Sequence, residues 1–217
     1  LDRLVEVHDL ASVRRRHAEY FVAWAEQAER ELDGPDQVFW LASLERNSDN
    51  LRTALSTLVS GCQAAPAARL VCALGEFWQR HGHYREGRQW LQQVLALLDN
   101  RPVSGTLQAR TLQTAATMAY RQGDWPAAQQ WLAQSLALYQ EVCDQLGTAR
   151  ILFDLGWIAI DQADWAEGIR LNQASLALAR ETGDALSIYR ALTNLGWTQL
   201  CAGQYAAAVP IFDEALG

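Results

Sequence analysis

Apolar residues recur at helical spacing through Leu152, Leu155 and Ala159 and again through Ile169 and Leu176, and no stretch alternates with the period of two that a strand requires. The same pattern returns along the chain at a nearly fixed interval. An aromatic opens the second half of each copy at Tyr84, Trp125, Trp165 and Tyr205. A small residue marks the first half at Gly75, Ala116, Gly156 and Gly196, and a late leucine stands at Leu95, Leu136, Leu176 and Leu216. All three columns advance by 40 or 41 residues. A repeat of this length is one supersecondary unit stacked on copies of itself, each too small to bury its apolar face alone.

Each unit predicts a helical hairpin, at about 64–98, 106–143, 146–181 and 185–217. Between the halves of each lies a turn of the type small-x-aromatic: Gly82-His83-Tyr84, Gly123-Asp124-Trp125, Ala163-Asp164-Trp165 and Gly203-Gln204-Tyr205. Glycine can take the left-handed conformation that ends the first helix, and aspartate can cap the second. Asp164 and Glu167 have capping-box spacing, and Pro126 falls in a first helical turn where proline is tolerated. Glycine inside a helix costs about 0.5–1 kcal/mol relative to alanine, so Gly75, Gly156 and Gly196 imply close approach of a partner helix, with the aromatic after the turn wedged between the two. The columns Tyr84, Trp125, Trp165 and Tyr205, together with Trp90 and Trp131, are expected in the core.

The segment 1–61 lacks these landmarks. It predicts one amphipathic helix from Ser12 to Leu32, closed by Asp33-Gly34-Pro35, and a second from Asp36 to Ser60, kinked around Asn47 to Asn50 where poor helix formers cluster. These helices are expected to cap the array or attach it to a neighbouring segment. The last predicted helix starts near Ala206 and holds Pro210 in an early turn. The chain lacks an initiator Met and stops inside that helix, so it is expected to be a piece of a longer protein whose apolar C-terminal edge favours pairing into a homodimer.

Leu155-Gly156, Ala163-Asp164-Trp165 and Gly168, repeated as Leu195-Gly196, Gly203, Tyr205 and Ala208, resemble the tetratricopeptide repeat in an extended form. This sequence departs from that pattern at Gly87, where the family prefers alanine, and at Ala115-Ala116, where it prefers Leu-Gly. The resemblance implies an all-α, right-handed α-solenoid of helical hairpins with two extra N-terminal helices. A second likeness runs through Arg16-His17-Ala18-Glu19-Tyr20-Phe21, Gly34-Pro35, Trp40-Leu41, Leu44-Glu45, Asp49 to Leu55 and His81 to Arg88. These blocks are similar to the helical arm that follows the nucleotide-binding and winged-helix domains of bacterial STAND-class signal-transduction ATPases, many of them LuxR-type transcriptional regulators. That likeness implies a sensor and assembly arm, with ATP handled upstream.

Composition narrows the functional classes. Half of the 217 residues are hydrophobic, yet no apolar run approaches the 18 or so needed to span a bilayer, so a cytoplasmic location without membrane contact is expected. The net charge is −7 and all 18 basic residues are arginine. This acidic balance, with no basic run beyond Arg14-Arg15-Arg16, argues against direct nucleic-acid binding. Cys62, Cys72, Cys143 and Cys201 are scattered and read as reduced, small apolar side chains.

The sequence contains no P-loop, nucleophile elbow or zinc-protease motif, so no enzyme activity and no cofactor is expected. His81 and His83 form too small a set for a metal site and read as polar turn residues. The sharper candidate is the column Arg69, Arg110, Arg150 and Arg190, which keeps the repeat interval near the start of each first helix. By the tetratricopeptide resemblance, first helices line a groove. Tyr120, Trp157 and Trp197 would be its aromatics, and Asp154 and Asn194 lie one helical turn beyond Arg150 and Arg190. Guanidinium forks suit carboxylates or phosphates. The groove would then take a protein, an acidic peptide, a small anionic effector or another domain of the parent chain. The alternative role for these arginines is structural, pairing with acids such as Asp154 or with the end of a preceding helix. For the whole chain, the leading reading is the binding arm of an ATP-dependent regulator, and the alternative is a stand-alone peptide-binding adaptor with no ATPase attached.

Overall fold

The computed structural model describes residues 2–216, leaving Leu1 and Gly217 outside the described residues, and among these every regular element is an α-helix. The chain divides into two compact units, Leu1–Gly123 and Asp124–Gly217.

The first unit holds α1 (Asp2–Glu31), α2 (Gln37–Arg46), α3 (Ser48–Ser60), α4 (Ala64–Ala73), α5 (Gly75–His81), α6 (Tyr84–Leu98) and α7 (Gly105–Arg121). The expected kink in the second N-terminal helix falls at Asn47, whose side-chain amide donates to the Ser43 carbonyl at 2.9 Å and so competes with the helix ladder. The first repeat helix also breaks, at Leu74, so that Gly75 opens α5. α1 packs on α3 and α4, and α4 packs on α6 and α7. Their shared interior holds Leu55, Leu58, Leu70, Leu74, Trp78, Leu91 and Met118.

The second unit holds α8 (Trp125–Glu141), α9 (Gln145–Asp161), α10 (Trp165–Thr182), α11 (Ala185–Cys201) and α12 (Tyr205–Leu216). α9 packs on α8, α10 and α11, α10 on α11, and α11 on α12. Its core combines Leu132, Ile151, Ile158, Leu176, Leu192 and Leu195 with a buried polar set. Asn194 Nδ2 donates to Asn172 Oδ1 at 2.9 Å, Asn172 Nδ2 to Thr198 Oγ1 at 3.1 Å, and the Ser175 hydroxyl to the Ala149 carbonyl at 2.8 Å.

The turns match their expected chemistry. Gly82, Gly123, Gly203 and Ala163 have φ between 59° and 75°, and Asp124 and Asp164 accept from the backbone N–H three residues on. Only half of the capping box forms, because the Glu167 carboxylate takes Arg170 instead of returning to residue 164. Pro210 lies inside α12, as expected.

The aromatic columns require correction. Tyr84, Trp90, Trp125, Trp131 and Trp165 are only half-buried, and Tyr205 is 67% exposed. The turn aromatic is the first residue of its helix, at the tip of the hairpin, where the side chain stays partly in solvent. Tyr84 there donates its hydroxyl to the Gln79 carbonyl at 3.2 Å and closes the turn. Other side chains fill the close approaches: a Cβ on Gly156 would stand 2.6 Å from Asn172 Oδ1, one on Gly196 2.8 Å from the Phe212 ring, and one on Gly75 2.7 Å from a Thr114 methyl. Gly87, the departure from the family's alanine, is explained by Trp78, a fully buried indole whose ring would lie 2.8 Å from an added methyl. The cysteines divide as well. Cys72 is buried, but Cys62 and Cys143 are exposed at left-handed turn positions, so those two are not the apolar fillers expected.

Candidate functional site

The arginine column meets different surroundings in the two units. In the first, the Arg69 guanidinium makes two hydrogen bonds of 2.6 Å to the Glu26 carboxylate, and Arg110 pairs with Glu29. Glu26 and Glu29 lie three residues apart on α1, so one helix face presents both acids to α4 and α7. The hydrogen bond from Arg69 is the main reason the Glu26 carboxyl sits below the usual carboxylate range. Tyr120, on α7, is half-buried beneath the Arg121 guanidinium, 5.8 Å from its ring centroid.

In the second unit, Arg150, Asp154 and Trp157 follow i, i+4, i+7 spacing on one face of α9, and Arg190, Asn194 and Trp197 do the same on α11, which packs beside it. Packed helix axes lie about 8–10 Å apart, so the two faces make one strip. Arg150 and Arg190 are exposed, and neither guanidinium has a hydrogen bond or ion pair among the described residues. Both of their charges act on Asp184, the N-cap of α11. The Ser187 hydroxyl and backbone N–H lower its pKa most, and the two arginine charges add to this. Trp157 is half-buried and packs edge-on against Phe153 with ring centroids 6.3 Å apart, while Trp197 is exposed. Asn194 is not at the surface of this strip: it is buried, with its amide committed to Asn172. The strip thus offers two uncommitted cations beside two indoles, which suits an acidic segment with an apolar side chain.

Sequence reasoning missed Glu26 and Glu29. Their only signal was the three-residue spacing on a helix assigned to capping. His83 lies 3.2 Å from Glu45 and stacks on His81, so these histidines tie the α5–α6 turn to α2. Among the described residues no group of three or more His, Cys, Asp or Glu is placed to hold a metal ion, and no helix is long and apolar enough to cross a membrane.

Comparison with known proteins places this geometry. The profile of the tetratricopeptide repeat matches residues 107–167 and 158–217. No curated protein matches the chain. Among solved structures, BtubC (BKLC) from P. vanneervenii is 16% identical with a TM-score of 0.66, covering 93% of this chain and 89% of that one. A putative kinesin light chain from Podosopora anserina with nearly identical TPR-like repeats is 15% identical with a TM-score of 0.70, covering 91% and 94%. Aspartyl phosphate phosphatase F from Bacillus subtilis is 13% identical with a TM-score of 0.73, covering 99% of this chain but 54% of that one. Identities this low establish likeness of fold alone. With a matched profile over half its length and helical-repeat neighbours along nearly all of it, the chain belongs to the tetratricopeptide repeat family.

Proposed function

We propose that this chain is the protein-binding arm of a larger ATP-dependent bacterial regulator working in the cytoplasm, with residues 62–217 as four repeats and 1–61 as their N-terminal cap and link. Helical repeats of this family are suited to binding proteins and peptides, and the reading needs no covalent step. Support for the regulator comes from the sequence blocks Arg16 to Phe21, Asp49 to Leu55 and His81 to Arg88, which resemble the arms of STAND-class ATPases. Sequencing the reading frame around this segment tests it. A P-loop upstream is the expected result, and its absence makes the chain a stand-alone adaptor.

Within the arm, the α9–α11 strip is the recognition surface, and its ligand is an acidic peptide segment. The observation that carries this reading is the pair of exposed arginines, Arg150 and Arg190, left without carboxylate partners beside Trp157 and Trp197, whereas Arg69 and Arg110 are already matched by Glu26 and Glu29. Binding of a fluorescent glutamate-rich peptide, followed by anisotropy, tests it. A charge-assisted hydrogen bond contributes about 1.5–3 kcal/mol, so Arg150→Ala with Arg190→Ala should weaken binding by at least tenfold. Undiminished binding by the double variant would remove the strip from the site.

A further inference from the structure

In the first unit, α1, α3 and α6 border an open cavity of about 620 Å³, within the roughly 300–1,000 Å³ of small-molecule sites. Its floor is one face of α3, where Thr53, Ser56, Thr57 and Ser60 follow i, i+3, i+4, i+7 spacing. On most helices that spacing carries either an apolar stripe or a charged, solvated face. Serine and threonine are poorer helix formers than the lysine, glutamate or alanine of an ordinary solvated face. Four hydroxyls in two turns therefore weaken α3 locally and call for a role other than solvation.

The donors and acceptors on this floor are unevenly spent. Thr53 donates its hydroxyl proton to the Asp49 carbonyl and Thr57 to the Thr53 carbonyl, each at 2.8 Å, and Ser60 to the Thr57 carbonyl at 3.3 Å. Their oxygens keep lone pairs, so these three groups accept from a ligand. The Ser56 hydroxyl has no hydrogen bond among the described residues and can do either. Two walls are held by one acid. Glu86 takes both arms of Arg52, at 2.7 and 2.8 Å, and also the side-chain hydrogen bond of Trp90. Arg52 gives a third bond to Asp49 at 2.8 Å, which leaves two of its five N–H groups. With two carboxylates against it, Arg52 has no charge to spare for an anion. Arg14, the lining residue from α1, is exposed, and its guanidinium has no hydrogen bond or ion pair among the described residues.

We propose that this cavity binds a sugar phosphate, free or as part of a nucleotide. The phosphate pairs with the Arg14 guanidinium through charge-assisted hydrogen bonds. The sugar hydroxyls donate to the Thr53 and Thr57 oxygens and accept from Ser56 and the unspent N–H groups of Arg52. The half-buried Trp90 indole, fixed by Glu86, offers its apolar ring to the sugar or to an attached base. A bare inorganic anion would leave the three acceptors unused, and an apolar ligand would leave the whole floor unsatisfied. The site lies wholly within the first unit and does not depend on the peptide strip of the second.

Titration calorimetry of the chain with ribose 5-phosphate, adenosine monophosphate, ribose and inorganic phosphate tests the proposal. At least one of the first two should bind tenfold or more tighter than ribose or phosphate alone. A tenfold lead for the nucleotide assigns Trp90 to the base, and equal affinities assign it to the sugar. Arg14→Ala removes the phosphate partner, and Ser56→Leu fills the floor from an exposed position. Each should lower affinity at least tenfold while melting as the unaltered chain does, and if one disturbs folding the other decides. Binding of none of the four ligands overturns the proposal. So does inorganic phosphate that binds as tightly as the sugar phosphates, or unchanged affinity in either folded variant.

Discussion

The two units use one repeat pattern in different ways. In the first, arginines fasten segments distant in sequence: Arg69 to Glu26, Arg110 to Glu29, Arg52 to Glu86 and Arg80 to Asp33 in the turn after α1. In the second, Arg170 pairs within its own helix and Arg180 reaches Glu214, while Arg150 and Arg190 are left uncommitted. The interiors differ in the opposite sense. The first is filled by Phe77, Trp78 and Met118, whereas the second buries the amides of Asn172 and Asn194. The same arginine column is thus paired where α1 supplies acids, and at Arg150 and Arg190 its guanidinium groups have no ion pair among the described residues.

The largest effect should come from the indole that fills the first unit. Trp78 is 2% exposed and seated on Gly87, so Trp78→Ala should cost about 3–5 kcal/mol. Trp165 in the second unit is half-buried at a hairpin tip, and Trp165→Ala should cost roughly 1–2 kcal/mol by the apolar area it keeps from water. Chemical denaturation of both variants measures the gap. Equal losses would mean that the turn aromatics belong to the core after all.

Next in size is the buried amide set of the second unit. Gly156→Ala would bring a methyl to 2.6 Å from Asn172 Oδ1, the acceptor for Asn194. The neighbour is a hydrogen-bonded amide in a closed interior, and Asn194 Oδ1 is already buried without a partner. Overpacking of this kind costs about 1–3 kcal/mol. Gly82→Ala, at φ 73° with open space around it, should cost less, on the order of 1 kcal/mol from backbone strain alone. Thermal melting that ranks the two variants the other way would show that the Asn172 network can shift to make room.

These contrasts also show what the sequence could reveal. Helix class, turn positions and the break near Asn47 were legible because each depends on neighbours within a few residues, such as Gly82 at a left-handed turn or Asp164 at a cap. The first-helix glycines Gly75, Gly156 and Gly196 do mark close approaches. What approaches them is a tertiary matter, and Asn172, Phe212 and Thr114 carry no mark in the sequence that singles them out. The arginine column was visible through its period, but its partners were not, because Glu26 and Glu29 lie on a helix outside the repeat register.

A smaller effect is expected from the clasp itself. Exposed ion pairs contribute about 0.2–1 kcal/mol, so Glu26→Gln or Arg69→Ala should lower stability by no more than that. The pH dependence has a definite sign. Arg69 holds the Glu26 carboxyl below its ordinary range and Arg52 does the same for Glu86. The stability these groups add is present above the ordinary carboxylate range and is lost as pH falls through their lower folded values. Melting temperature against pH should therefore drop on acidification in the unaltered chain and drop less steeply in a Glu26→Gln, Glu86→Gln variant. Parallel curves would assign the acid sensitivity elsewhere.

The smallest effect on folding, and the one that most sharpens the comparison, belongs to Arg150 and Arg190. Both side chains project from helix faces without a hydrogen bond or ion pair, so replacing them by alanine should change stability by less than about 0.5 kcal/mol, as for surface sites generally. Their removal also relieves two like charges held on adjacent helices. In the first unit, Arg69→Ala and Arg110→Ala strand the two α1 glutamates and should lower the melting temperature while leaving acidic-peptide binding unchanged. The two double variants thus predict opposite outcomes in two measurements, one losing stability alone and the other losing ligand alone. If Arg150→Ala with Arg190→Ala melts earlier, these arginines are fasteners too, and the division between the two units is one of packing alone.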